Sequence, residues 1–368
     1  MRARKTRMVA GSVALAIGLG CVSAGTVAAQ PRDDHADTQA LIDGYVDRGV
    51  PGAMVFARDG RRSWSVTSGT SRLGVDDPIR PWDRVRVASN TKMFVSVVTL
   101  QLVGEGKIEL DAPIERYLPG LVSGNGYDGN RITVRQLLQH TSGMDDYVAD
   151  LMADPVGNNR PWAPEELVAL GLSHPPLFEP GTDWAYSNTG YVVLGLLIEK
   201  ITGNSTRDEI DDRIVKPHWL FQTELPRSGD VHISGPHAHG YFAFPGQPVM
   251  DITDFEPSMA SFSGSMVSSG LDMTRFVRAL VEGRVLAPEL LKEMRATIPV
   301  EYGEYGLGLV SYTTPCGEQA WGHSGNIVGY DSFTAATEDG RSAFAVANGR
   351  DTAGDAVDLR EAVNSALC

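Results

Sequence analysis

Strand-like patterning occurs at both ends of this chain and helical periodicity fills its middle, a distribution that few folds accommodate. Residues 53–57 and 63–67 read as a β-hairpin around an Asp59-Gly60 turn, and residues 305–312, 319–322, 332–337 and 342–347 alternate or run apolar over strand lengths, with Asp339-Gly340 as a second hairpin turn. Between them, residues 90–105, 133–139, 164–172, 189–201, 206–215, 271–282 and 288–296 carry helical spacing. Helices are also expected at 37–48 and 353–367, whereas 218–264 shows no strong period and predicts loops with short strands. Sequence-distant strands of this kind join in one sheet only if the intervening chain leaves and returns. The expected class is therefore α+β: an antiparallel sheet built from both chain ends and flanked by helices, with an all-helical insertion. The division expected is an α/β subdomain from 30–110 and 265–368, and a mostly helical subdomain from 111–264.

The first residues read as a targeting segment. Arg2, Arg4, Lys5 and Arg7 precede an apolar run from Met8 to Ala28, and Val27-Ala28-Ala29 supplies small residues for signal peptidase. A signal peptide over 1–29, cleaved near Ala29, and a secreted protein are expected. Lipidation at Cys21 and a retained anchor are the alternatives. Of the three cysteines, Cys316 and Cys368 remain as an even pair, which predicts a disulfide in an exported protein over two unpaired thiols. The formal net charge of −14 at pH 7 disfavours nucleic acid and anionic membrane surfaces as partners.

Three short motifs occur once each: Ser89-Asn90-Thr91-Lys92, Tyr186-Ser187-Asn188 and His323-Ser324-Gly325. At a helix start, residues three apart share a face, so Lys92 can reach the Ser89 hydroxyl, and the helix dipole favours a developing anion there. Buried, such a lysine is neutral part of the time and serves as a base. Tyr186, on a Gly-rich approach to a helix, can relay protons, and Asn188 can orient Lys92 and hold a substrate amide. His323 can keep the site electropositive, and Gly325 can let a substrate backbone approach a strand. Read singly, each has a plainer alternative: an N-cap serine with a solvated lysine, a buried tyrosine with a satisfied hydroxyl, a strand-end histidine. His237 and His239 have no carboxylate pattern for zinc around them and read as loop residues; no metal or cofactor is expected.

The three motifs in this order resemble the penicillin-recognising serine hydrolases, whose signature is Ser-x-x-Lys, a Tyr- or Ser-x-Asn triplet and a Lys- or His-x-Gly triplet. The variant here is most similar to the secreted actinomycete D-alanyl-D-alanine carboxypeptidases and, more loosely, to class C β-lactamases and related esterases. Leu100-Gln101-Leu102-Val103, Lys107-Ile108-Glu109-Leu110-Asp111, Tyr117-Leu118-Pro119-Gly120-Leu121, Ile132-Thr133-Val134-Arg135-Gln136 and Gly306-Leu307-Gly308-Leu309 extend the likeness over residues 36–368. The resemblance implies a β-lactamase/transpeptidase-like fold, Ser89 as acylated nucleophile, Lys92 and Tyr186 as proton handlers, and Asn188 and His323 completing the cleft. Ser324, Gly325 and Asn326 would bind substrate, and the Ser89 N–H and one from the strand after His323 would form the oxyanion hole. It implies a monomer acting on peptidoglycan peptides or another small acyl substrate, with β-lactams as inhibitors or substrates. The chain departs from that pattern at Val310, where the carboxypeptidases place a carboxylate-binding arginine, and at Asn326, Val328 and Met259. DD-carboxypeptidase is the leading expectation. Esterase, D-aminoacyl amidase and class C-like β-lactamase activity follow it, and a catalytically silent penicillin-like binding protein is the reading from another class.

Overall fold

The computed structural model describes residues 35–243, 248–350 and 357–368. The expected signal peptide and the first part of the helix expected over 353–367 lie outside the described residues. The chain enters through α1 (Ala36–Asp47), which buries Thr38, Ile42 and Tyr45 on one stripe. β1 (Gly52–Asp59) and β2 (Arg62–Gly69) then form the N-terminal hairpin. Its register pairs Asp59 with Arg62, so the two-residue loop is Gly60-Arg61, one residue later than expected, and Gly60 supplies the positive φ.

The other six strands of the eight-stranded sheet come from the C-terminal third: β3 (Ile298–Val300), β4 (Gly303–Tyr305), β5 (Val310–Thr313), β6 (Gln319–Ile327), β7 (Tyr330–Thr337) and β8 (Ser342–Ala347). The sheet order is β2-β1-β8-β7-β6-β5-β4-β3, every neighbouring pair antiparallel. The two chain ends meet where β1 pairs with β8, Ala53 opposite Ala347 through Arg58 opposite Ser342.

Both faces of these central strands are apolar, and the alternation sorts side chains by size. Ala53, Val55, Ala57, Ala343, Ala345 and Ala347 face a cluster shared with α1 and α8 (Leu359–Leu367), through Ile42, Tyr45, Ala362 and Val363. Met54, Phe56, Phe344 and Val346 face the other way. There they meet α6 (Gly270–Val281) and α2 (Thr91–Gly104) through Phe276 and Phe94, whose rings stack at 3.8 Å. Small residues on one side let the terminal helices sit close, while larger ones fill the opposite layer.

That second layer continues without a break through α2 into the helical insertion, whose α3 (Val134–Gln139), α4 (Pro164–Gly171) and α5 (Asn188–Thr202) contribute Leu137, Leu167, Tyr191 and Leu197. A further helix, α7 (Pro288–Met294), follows α6.

Two sequence expectations need correction. Residues 305–312 are not one strand: Tyr305 pairs with Val310, and Gly306–Leu309 turns between β4 and β5. Leu307 and Leu309 are both fully buried, which made the turn look strand-like, but Gly308 (φ +76) packs so closely on Ser96 and Tyr191 that no side chain would fit. The helix expected over 206–215 opens into a π-turn at Asp211–Val215, where the Lys216 N–H bonds Asp211 O. Pro217 has no N–H to donate back into the preceding turn, so the ladder is already broken there. Cys316 and Cys368 form the expected disulfide. Among the described residues no helix is long and apolar enough to cross a membrane, and no group of three or more His, Cys, Asp or Glu is placed to hold a metal ion.

Candidate active site

Ser89 sits in a single 3-10 turn, Ala88–Asn90, that feeds directly into α2. Ala88 has φ +49, a left-handed conformation that costs a non-glycine residue roughly 1–3 kcal/mol. Surrounding bonds hold it there. Asn90 Nδ2 donates to Val87 O and to Ser332 Oγ, both at 3.0 Å, and Ser332 Oγ donates to Val87 O at 3.0 Å. Thr91 Oγ1 donates to Ala88 O at 2.7 Å and accepts from the Met266 N–H. The turn is thus stitched to β7 on one side and to the segment before α6 on the other, which leaves Ser89 the partly exposed residue at its tip.

Lys92 follows one turn later and is fully buried. Its ammonium donates to Ser89 Oγ (3.2 Å), Asn188 Oδ1 (2.7 Å) and Ser263 O (2.8 Å). Asn188, the first residue of α5, passes the contact on: its Nδ2 donates to Asp146 Oδ2 at 2.7 Å. Burial pushes Lys92 down to about 7 against the opposing pull of the Asp146 carboxylate. Burial also raises Asp146, although hydrogen bonds from Val148 and Asn188 favour its charged form. The lysine is therefore poised as a base and is oriented by three acceptors.

Tyr186 lies over Lys92, with the ammonium 4.6 Å from its ring centroid. Burial holds its phenol well above the ordinary value, and the hydrogen bond with Ser89 offsets this only in part. The phenol stays protonated at neutral pH. It can donate or relay a proton but is not the resting base.

His323 corrects the sequence reading twice. It lies inside β6, which runs five residues past its expected end at Gly322, because β7 continues to pair with it after β5 has stopped at Gly322. It is also not electropositive. Burial first, then the Lys92 charge, pushes it down to about 3, and both ring nitrogens are occupied: Nε2 with the Tyr305 hydroxyl (3.0 Å) and Nδ1 with Ser324 O. Gly325 has a packing role that the motif did not announce. A Cβ there would fall 2.2 Å from Val87 O and 2.5 Å from Ser332 Oγ, so the glycine admits the nucleophile turn against β6.

The cleft in front of Ser89 is walled by Tyr147, Leu151, Phe255, Met259 and Val328, with Asn188 and Asn326 as polar members. Asn326 accepts from Arg350 Nη2 at 3.0 Å and donates to the buried Asp331 carboxylate, which burial raises to about 6. Ser324 is exposed beside it on β6. Met259 and Val328 are thus where the departures from the resemblance placed them. Val310 is instead packed with Tyr305, Tyr312 and Phe333 and is only 2% exposed.

The structure therefore brings Ser89, Lys92, Tyr186 and Asn188 into one hydrogen-bonded group with His323 at its edge. The motif reading missed Asp146, His140, Tyr305 and Arg350. The Asp145-Asp146 pair shortly after His140-Thr141-Ser142-Gly143 was a visible signal for Asp146. Nothing local marked the others.

Comparison with known proteins gives one family model, described as Beta-lactamase, that matches residues 38–367. Among solved structures, a D-stereospecific amidohydrolase from Streptomyces sp. is 40% identical, with a TM-score of 0.82 over 91% of this chain and 98% of that one. A D-amino acid amidase from Ochrobactrum anthropi SV3 is 27% identical, with a TM-score of 0.77 over 91% and 98%. Penicillin-binding protein 4* of Bacillus subtilis is 26% identical over 77% of this chain, which spans 64% of that relative's length.

Proposed function

The chain belongs to the beta-lactamase family and is a serine hydrolase, and from that premise we propose that it hydrolyses D-aminoacyl amides through an acyl-enzyme on Ser89. The observation that carries the chemistry is the Ser89–Lys92–Asn188–Asp146 string, with its buried lysine near 7. Neutral Lys92 takes the Ser89 proton as Oγ attacks the carbonyl. The oxyanion forms against the Ser89 N–H at the start of α2 and an N–H of β6. As the C–N bond breaks, Tyr186, held as a phenol, gives its proton to the leaving amine and takes back the one that Lys92 received from Ser89, so that both groups return to their starting forms. Water then enters by the same route in reverse and frees the acid.

The substrate class rests on the cleft and on likeness. An apolar wall of Tyr147, Leu151, Phe255, Met259 and Val328 suits a bulky apolar side chain on the acyl unit. The two amidohydrolases named above supply the D-configuration and the amide leaving group. A second reading, D-alanyl-D-alanine carboxypeptidase on peptidoglycan peptides, is favoured by one observation: Arg350 places a guanidinium among the cleft-lining groups, where a terminal carboxylate is a suitable partner. β-Lactams, as cyclic amides, are expected to acylate Ser89 in either case. The disulfide supports an exported location, and a monomer remains the expected assembly.

The test is ammonia release from D- and L-phenylalanine amide, run beside D-alanine release from an N-acylated D-Ala-D-Ala peptide, with Ser89→Ala as control. Ser89-dependent release from the D-amide supports the proposal. D-Alanine release with the amide inert moves the assignment to the carboxypeptidase. Neither activity, with a neutral ester still cleaved, leaves an esterase.

A further inference from the structure

Behind the Tyr186 wall three buried aromatic groups touch in series. Ser187 N–H donates to His140 Nδ1 at 3.1 Å, His140 Nε2 meets the Tyr305 hydroxyl at 3.0 Å, and that hydroxyl meets His323 Nε2 at 3.0 Å. His323 Nδ1 then meets Ser324 O. The proton positions follow from the ends inward. A backbone N–H can only donate, so His140 Nδ1 is the acceptor and the His140 proton sits on Nε2. That proton points at the Tyr305 oxygen. The Tyr305 proton is then left for His323 Nε2, and the single proton of a neutral His323 sits on Nδ1, where a carbonyl accepts it. The Tyr191 hydroxyl also reaches Tyr305, but its own proton goes to Leu138 O at 2.9 Å, and the two backbone ends fix the direction along the chain.

We infer that His140 and Tyr305 are positioning residues: they lock His323 as the Nδ1–H tautomer and tie the Tyr186–Asn188 loop to β6, so that the two walls of the cleft keep one spacing. The link joins elements far apart in sequence, since Tyr305 lies 165 residues from His140 and 18 from His323. His140 is itself anchored in a left-handed conformation (φ +63) at the end of α3, and its carbonyl accepts from the Ala185 N–H at 3.1 Å. Trp184 covers it edge-on at 6.1 Å. The other titratable groups facing the chain are Lys92 and the phenols of Tyr186, Tyr191 and Tyr302. Lys92, when charged, opposes protonation of both imidazoles, and burial acts in the same direction.

The inference rests on the acyl-transfer reading for its purpose but not for its first test, which needs no substrate. Histidine-selective 15N NMR of the protein from pH 5 to 8 should show two imidazoles that do not titrate. One should be the Nε2–H tautomer, lost in His140→Gln, and the other the Nδ1–H tautomer, lost in His323→Gln. Tyr305→Phe removes the middle link. The His323 resonance should then change tautomer or begin to titrate, and kcat for the best substrate should fall about tenfold with KM nearly unchanged. His140→Gln, whose amide can accept from Ser187 N–H and donate to Tyr305, should keep more of kcat than His140→Ala, and equal losses in the two count against the inference. Titration of either ring above pH 5, or the same tautomer in both, overturns the inference from the wild-type spectrum alone, whether or not the variants fold. Tyr305→Phe with unaltered His323 signals and kinetics also overturns it. Failure of the D-amide assay leaves these spectra untouched, so the two proposals fail separately.

Discussion

Asp146 gives the sharpest test of how the base is tuned. Two hydrogen bonds of 2.7 Å in series, across the Asn188 amide, link its carboxylate to the Lys92 ammonium. The charges are thus roughly 7 Å apart, and at an effective dielectric of about 20 their attraction is about 2.4 kcal/mol, or roughly 1.7 pH units. The sign follows directly. The anion favours protonated Lys92, so removing it lowers the lysine further, and the neutral base survives to lower pH. The wild-type kcat/KM profile should have an acid limb near 7, the position to which burial brings Lys92. In Asp146→Asn the limb should move down by between one and two units. The plateau should fall as well, because a less basic amine takes the serine proton less readily, and because one of the contacts to Val148 N and Asn188 Nδ2 is lost. The assay is kcat/KM from pH 4.5 to 9 with the best amide, or the rate of Ser89 acylation by a chromogenic β-lactam. A limb that stays in place or rises would refute the reasoning, since it would mean that the limb does not report Lys92 or that Asp146 is not ionised beside it.

Gly325→Ala forces a Cβ to within 2.2 Å of Val87 O, and a nucleophile turn displaced by about 1 Å costs on the order of a hundredfold in kcat; unchanged acylation in a folded variant would remove the packing role assigned to this glycine. Arg350→Gln should raise KM roughly tenfold for a peptide with a free terminal carboxylate and leave its neutral amide unaffected; equal effects on both would show that the guanidinium does not read the substrate's charge. Replacing Cys316 and Cys368 together by serine opens a loop with a sequence separation of 52, worth about 4 kcal/mol in the chain-entropy model. For a chain of this size that is a fall in Tm of roughly 6 °C, with activity at room temperature retained; an unchanged Tm in calorimetry would count against it.

The union of the two chain ends in one sheet was legible because 53–57 and 342–347 are apolar runs of strand length beside Asp-Gly turns, too short for buried helices, and their pairing in β1 and β8 is what the structure holds. The β4–β5 hairpin was not, because Leu307 and Leu309 look like strand residues and are apolar for another reason, burial in the core layer that also holds residues of α2 and α5. The glycines at 306 and 308 carried the turn signal, and composition outweighed it. The break at Asp211–Val215 shows the same limit: Pro217 was visible, but the remedy for a missing donor is a backbone choice with no side-chain signature. Within the site, Ser89 and Lys92 were readable because a three-residue spacing on a helix fixes their contact locally. Asp146 stands 42 residues from Asn188, and Tyr305 stands 165 from His140. Contacts of that kind are made by the fold and not by spacing, so a motif has no means to name them.

What the sequence misjudged about His323 changes the electrostatic account of catalysis. A cation at that edge would stabilise the oxyanion but would also stand against Lys92 in the ground state and drive it neutral. Here the histidine is neutral, its two nitrogens are spent on Tyr305 and Ser324, and the phenols around it are protonated. The mobile charge of the site is therefore carried by Lys92, whose resting carboxylate partner is Asp146. When Lys92 takes the serine proton it becomes a cation as the oxyanion develops on the substrate. The attraction between them is absent before the transfer and present after it, in surroundings that screen it weakly. Stabilisation that appears only along the reaction coordinate raises kcat, whereas a fixed cation would also have bound the ground state of an anionic substrate. A neutral imidazole at position 323 is thus compatible with full acyl-transfer activity, provided that Lys92 begins the reaction uncharged, and burial together with the Asn188–Asp146 contact is what sets that fraction.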